Sequence, residues 1–261
     1  MAFLYSTENL INSTTLPADT AAYRSTEDAI YQVENLYNQR PSKPFRFTAK
    51  AGQWVKVNLG SRQLISLFAI FNHNLQDSAT MQLHCSGNNI VYRLISNLTW
   101  RQHDLYKKCG VTDQWFRFSV SDATNPDSLE LGEMWLGNWT EFSNAKTQSP
   151  RADGPQFWTV EHQTPYGQDH DAFLSENDRF HIALRNVNDI NAADEIQTFL
   201  SAVFQANNRF LMIPDDKTPH VYYCKIENKS DFADRIIYGD ANELRDWRIS
   251  VKSLTRGIAL L

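Results

Sequence analysis

Acidic and imidazole side chains come closest together at Gln168-Asp-His-Asp171, the natural first place to look for chemistry. His170 between Asp169 and Asp171 could ligate a divalent ion, with His162 nearby in sequence. No second cluster closes the coordination shell, so a solvated loop is the simpler reading. His73, in Phe71-Asn-His-Asn-Leu75, stands where a strand-like run ends. It could act as a general base or touch a ligand. An Asn/His group at such a place more often hydrogen-bonds its own turn. Paired carboxylates for acid–base hydrolysis would have to converge. Glu130 and Glu133 share one strand-like segment three residues apart, which sends their side chains to opposite faces. Asp215-Asp216 follows Pro214 in a turn, where Asp is favoured for backbone reasons.

The other common signatures of catalysis are missing from the chain. It contains no GxGxxG, no GK[ST] and no GxSxG. Ten glycines leave few tight backbone approaches to a ligand. Cys85, Cys109 and Cys224 are odd in number and widely spaced, with no CxxC pair. Neither a zinc site nor a disulfide framework is indicated, and three reduced thiols are expected. The sequence therefore implies no catalytic, cofactor-binding or metal-binding residues, no cofactor and no enzyme.

Something must still position these residues, and composition says what kind of scaffold. Seven Trp, ten Tyr and fifteen Phe in 261 residues favour a β-rich chain. The net charge of −5 argues against a nucleic-acid reader. The brief basic cluster Arg101-Gln-His103 with Lys107-Lys108 reads as a solvated loop. The opening MAFLYSTENLINSTTL lacks a basic start and a sustained apolar core, unlike a signal peptide. The longest apolar run, Leu64–Phe71, is strand-sized and far below the ~18 residues of a membrane span. The expectation is a soluble chain made in a cytoplasm, without membrane insertion. The sequons Asn97-Leu-Thr99 and Asn138-Trp-Thr140 then carry no weight.

The clearest composition shift is NAKTQSPRADGP, residues 144–155, whose turn residues describe a linker. Domains are expected at 1–143 and 156–261. The first reads as short strands: Trp54–Leu59 stopping at Gly60, Leu64–Phe71, Met81–Cys85, Trp115–Val120 and Leu129–Leu136. Phe116, Phe118 and Val120 share one face of their strand, with Arg117 and Ser119 on the other. Such spacing indicates a β-sandwich. In the second, strands are expected at Phe157–Gln163 and Arg179–Val187, separated by a polar loop at Thr164–Asn177. A helix follows, with Ala192, Ala193, Ile196, Phe199, Leu200, Val203 and Phe204 on its buried face. Asp189 or Asn191 would cap it, Asp194 and Glu195 would favour its positive end, and Asn207-Asn208 would stop it. Strands at Arg209–Ile213, Val221–Ile226 and Asp246–Val251 complete a sheet under this helix.

Two passages of the first half resemble the discoidin-like, galactose-binding-type β-sandwich. They are Trp54-Val-Lys-Val-Asn-Leu-Gly60 running into Leu64–Leu75, and Trp115–Val120 running through Asn125-Pro-Asp127 to Leu129-Glu-Leu-Gly-Glu-Met-Trp-Leu-Gly137. Their "NHNL" turn and "ELGEMWLG" ending resemble versions encoded in phage tail modules. The second half resembles the tube-like domain of phage distal-tail and minor tail proteins. That match runs from Arg179–Val187 through Ile196-Gln-Thr-Phe-Leu200 and Arg209–Pro214 to Val221–Ile226 and Asp246–Leu254.

The resemblance implies a mainly β chain, a jelly-roll sandwich followed by a tail-tube-like β-sandwich or split barrel with one packed helix. It further implies a virion structural protein of a long-tailed bacteriophage tail tip, in a homo-oligomeric ring of six copies. Its partners would be the tail tube, baseplate hub and fibre proteins, with DNA only as passing cargo. The alternative is a carbohydrate-binding protein contacting a host-surface glycan. Trp100 and Tyr106 are the candidates for its aromatic platform, with a place in the core as the alternative for either.

Overall fold

The computed structural model describes residues 4–141, 146–147, 151–163, 169–186, 190–206, 209–213, 221–226, 235–237 and 244–253. The chain forms two compact units, one built essentially from Tyr5–Thr140 and one from residues after Glu141. The first contributes β1 (Leu4–Ser6), β2 (Phe45–Arg46), β3 (Gln53–His73), β4 (Thr80–Ser86), β5 (Arg93–Asn97), β6 (His103–Ser121), β7 (Glu130–Leu131) and β8 (Glu133–Gly137). After β9 (Thr140–Glu141) come β10 (Lys146–Thr147), β11 (Arg151–Gln163), β12 (Asp169–Asn186), α1 (Ile190–Gln205), β13 (Arg209–Ile213), β14 (Tyr222–Ile226), β15 (Arg235–Ile237) and β16 (Leu244–Ser253). The fold is mainly β, as its sequence implies. No helix among the described residues is long and apolar enough to cross a membrane.

The first unit is organised by β3 and β6, an antiparallel pair in a sheet of order β5-β4-β6-β3-β8. The pair slips register between Asn58 and Gln63, and the strand continues through Gly60 where the sequence suggested a stop. Gly60 takes φ +76°, a conformation that costs other residues, so it turns the strand rather than ending it. Beyond the bend β3 faces back on itself. Val55 pairs with Phe118 early in the ladder and Phe68 pairs with Lys107 late, yet the Phe68 and Phe118 rings lie 5.8 Å apart. The two halves therefore enclose one core, including Val55, Val57, Phe116, Phe118, Met81 and Leu83 from one half. Ile65, Phe68, Ile70, Leu105, Met134 and Leu136 come from the other. This is a β-sandwich made by folding a long hairpin.

The segments before β3 also feed this core. Ile11, Leu16, Val33, Leu36, Phe45 and Phe47 are all buried in the same core, with Phe45 and Phe47 edge to face at 4.7 Å. The expected strand Leu129–Leu136 is two strands divided at Gly132, whose N–H donates to Phe71 O. A Cβ at Gly132 would stand 2.2 Å from Pro41 O, which explains why only glycine fits here. Lys107 and Lys108 lie within β6 rather than in the solvated loop expected of them, because β6 starts at His103.

In the second unit the sheet runs β10-β12-β16-β14-β13, with β11 also on β12 and β15 on β16. Lys146–Thr147 and the residues from Arg151 pair into strands within the segment expected as a linker. β12 begins at Asp169, so residues 169–177, expected in a loop, are strand paired with β11. Polar side chains do not prevent this, because backbone pairing supplies the hydrogen bonds. β15 had no counterpart in the sequence reading. α1 buries Phe199, Leu200 and Val203, and the Phe199 ring meets Phe210 of β13 edge to face at 5.2 Å. Phe204 is 38% exposed, against expectation. At roughly 100° per residue it stands roughly 140° round the helix from Phe199, off the packed face. With α1 starting at Ile190, Asp194 and Glu195 fall beyond its first turn, while Asp189 and Asn207-Asn208 lie outside the described residues.

Candidate functional site

The structure disperses the residues first suspected of chemistry. His73 is 3% exposed, and its Nδ1 accepts the Leu75 N–H at 3.3 Å, the service to its own turn that the sequence favoured. Asn72 and Asn74 on either side are also committed. Asn72 Nδ2 donates to Pro41 O at 2.8 Å, and Asn74 Nδ2 donates to Ser128 O at 2.8 Å. Glu130 and Glu133 do not occupy opposite faces of one strand, because Gly132 separates β7 from β8. Glu130 accepts from Arg46 Nε at 2.8 Å, while Glu133 is 1% exposed. His170 and Asp171 lie in β12, opposite His162 and Glu161 of β11. Asp215-Asp216 lies outside the described residues. Among the described residues, no group of three or more His, Cys, Asp and Glu is placed to hold a metal. None of the three cysteines is in a disulfide. Burial, and then the hydrogen bond to Asp113, push the Cys85 thiol up to about 12, and burial pushes Cys109 up to about 11.

Trp100 does not form the platform assigned to it. Its Nε1 donates to Leu75 O at 2.7 Å and its ring packs on the core. Tyr106 sits within β6 opposite Ala69. The loops at that end of the sandwich are tied to one another. Asp122 Oδ2 accepts from Gln76 N at 2.8 Å and Asn125 Nδ2 at 3.0 Å, and Lys50 Nζ donates to Asn125 O at 2.6 Å.

A different arrangement lies on the outward face of β3, β6 and β4. Alternation buries Val55, Val57, Phe116, Phe118, Met81 and Leu83, so the residues between them face away from the core. Pairing sets these in three rows: Trp54–Ser119–Gln82, Lys56–Arg117–His84 and Asn58–Trp115–Ser86. None of the nine is acidic. Tyr92, in the turn entering β5, places its ring 4.3 Å from Arg117 Cζ and 5.9 Å from Lys56 Nζ. Lys56 Nζ is also 4.4 Å from the Trp54 ring, and Tyr23 packs on Trp115 at 5.7 Å. Residues 24 and 25 run along the free edge of β3, through the Arg24–Val55 bridge and Ser25 N to Trp54 O at 3.0 Å. They bring Tyr23 to the face.

The charges on this face bear on one another. Burial, then Arg117, lower the Lys56 pKa, and the same two causes lower that of His84. Burial pushes the Tyr92 hydroxyl up to about 12, and that hydroxyl donates to Asn89 Oδ1 at 2.6 Å.

No protein-family model matches the chain, and no curated protein matches it. Several solved structures are similar in shape. One is the fucose-binding module SpX-3 of Streptococcus pneumoniae, at 13% identity and a TM-score of 0.40, covering 51% of this chain and 99% of that one. Another is CpGH89CBM32-5 of Clostridium perfringens, in complex with GalNAc-β-1,3-galactose, at 12%, TM-score 0.39, 44% and 92%. Chitosan-binding module 1 of a Paenibacillus sp. IK-5 chitosanase/glucanase matches at 17%, TM-score 0.40, 50% and 99%. Likeness at this level transfers neither ligand nor site residue.

The face was only half visible in the sequence. Period-two alternation places Arg117 and Ser119 outward, and the same rule applied to Trp54–Leu59 and Met81–Cys85 gives Trp54, Lys56, Gln82 and His84. What brings Lys56, Arg117 and His84 into one row is the register of three strands, which no single strand encodes.

Proposed function

We propose that this chain is a non-catalytic glycan-binding protein whose sandwich unit contacts a cell-surface carbohydrate. The observation that carries this reading is the gathering of Trp54, Tyr92 and Trp115 on a sheet face otherwise made of hydrogen-bonding side chains. Aromatic rings offer broad apolar surface at little conformational cost, suited to the C–H faces of sugar rings. The Asn, Gln, Ser, Lys, Arg and His side chains among them suit sugar hydroxyls. A glycan array probed with the intact chain tests this. Binding that weakens at least tenfold in both W54A and W115A supports the reading, and binding unaffected by either overturns this site.

A narrower reading puts the function at the tail tip of a long-tailed bacteriophage. The chain would be a distal or minor tail protein, made in the host cytoplasm and resident in the virion tail. Six copies would form a ring joining the tail tube to baseplate hub and fibre proteins. The succession β12, α1, β13, β14, β16 supports it, being the element order through which the second half resembles tube-like tail domains. Single-particle imaging of the purified chain and of assembled virions tests it. A six-fold ring on the tail axis is expected, and a monomer in both settings overturns it.

A further inference from the structure

We propose that the ligand of the outward β3–β6–β4 face is an acidic saccharide, its carboxylate or sulfate held between Lys56 and Arg117. The inference rests on the glycan-binding reading and names the class of glycan. Lys56 and Arg117 are direct cross-strand partners, and like charges so placed destabilise a sheet. Four other arginines of this unit meet carboxylates: Arg24 with Glu27, Arg46 with Glu130, and Arg62 and Arg93 with Asp113. Acid is plentiful in the chain, with 30 Asp and Glu against 25 Lys and Arg, but none occupies these three rows. Among the described residues, Lys56 and Arg117 are met instead by aromatic faces.

A carboxylate or sulfate would give the half-buried Arg117 guanidinium the charge-assisted contact that no carboxylate supplies among the described residues. The tryptophans stand one row to either side of the charged row, roughly 7 Å away along the strands. The face thus offers ring, charge, ring in succession, which fits an oligosaccharide better than a small free anion. Single-stranded nucleic acid also combines charge with stacking, but it tracks a continuous cationic groove. This face has one charged row in a chain of net charge −5.

The test is titration calorimetry of the intact chain with four probes: oligogalacturonate, its methyl ester, heparin oligosaccharide and oligothymidylate. Binding to oligogalacturonate or heparin oligosaccharide, with the ester at least tenfold weaker than the uronate if the carboxylate is the group read, supports the proposal. K56Q and R117Q should each weaken that binding at least tenfold, while K56R retains it; unchanged melting curves would show that the variants fold. Equal binding of uronate and ester, without heparin binding, overturns the acidic preference but leaves a glycan-binding protein. Absence of binding to both acidic probes, with hits for neutral glycans on the array, does the same. Binding to oligothymidylate alone overturns the glycan reading itself.

Discussion

The sandwich unit treats polar groups in two ways. At the loop end, Asp122, Asn125, Asn74, Asn72 and Lys50 spend their hydrogen-bonding capacity on backbone and one another. On the outward face of β3, β6 and β4, Lys56 and Arg117 stand side by side with no carboxylate paired to either among the described residues. Buried polar groups are ordinarily matched, because leaving one unmatched costs about 1–3 kcal/mol. The loop end largely follows that rule and works as a clasp, although Asp122 Oδ1 is itself buried without a hydrogen-bond partner among the described residues. The face sets like charges together instead, and such local conflicts mark places where a protein gives up stability for function. A loop rich in Asn, Asp and His can thus be inert, while a sheet face can be the site.

The comparison breaks most visibly at Gly132. G132A pushes a Cβ against Pro41 O and Phe71 O, so about 3 kcal/mol of sandwich stability should be lost in urea unfolding. A neutral effect would mean that the clasp around β7 and β8 is loose. Next in size is D122A, which leaves Gln76 N–H and Asn125 Nδ2 without their acceptor. A loss of about 2 kcal/mol is expected, with glycan affinity unchanged wherever the protein remains folded. Altered affinity in D122A would place the ligand at the loop end instead.

The face should respond with the opposite sign. The double variant K56Q/R117Q removes a cross-strand repulsion, so stability should hold or rise by less than about 1 kcal/mol while acidic-glycan binding disappears. A clear loss of stability would show that the cations support the fold, and the contrast between the two regions would collapse.

How much of this was legible in the sequence follows the range of the forces involved. Alternation in Trp54–Leu59 and Trp115–Val120 is local, and it placed both strands and their buried faces. Arg209–Ile213 was read to the residue, bounded by Asn-Asn and Pro. Gly60 misled because a bend and a stop leave the same local mark, and only the fold-back that brings Phe68 to Phe118 separates them. Trp100 left two readings, platform or core, because polar neighbours conceal a ring held by Leu75 O and packed on the core. The core residues Ile11 and Leu16 sit in irregular segments, and Val33 and Leu36 in a single 3-10 turn, all too short for a periodicity to betray them.

The subtlest contrast is in pH dependence. Burial and the neighbouring Arg117 hold the His84 pKa below its ordinary value, while Lys56, Tyr92 and Leu94 also lie at or beside its row. The unfolded chain takes up a proton near pH 6.5, and the folded chain resists doing so. Stability of the sandwich should therefore be full above about pH 6.5 and fall as the solution is acidified, until the lowered folded pKa is reached. H84Q should flatten this part of the profile, a smaller effect than any above. Asp113, whose pKa burial would raise but which bonds from Cys85 and Arg93 and the charges of Arg93 and Arg62 bring below the carboxylate norm, acts only at far lower pH. Saturating acidic saccharide should shrink the His84 effect, because an anion beside Arg117 favours the protonated ring. Thermal melts of wild type and H84Q at pH 7.5 and 5.5, with and without oligogalacturonate, read all of this. A saccharide that stabilises equally at both pH values would place the anion away from His84, and the charged row would lose its claim to be the site.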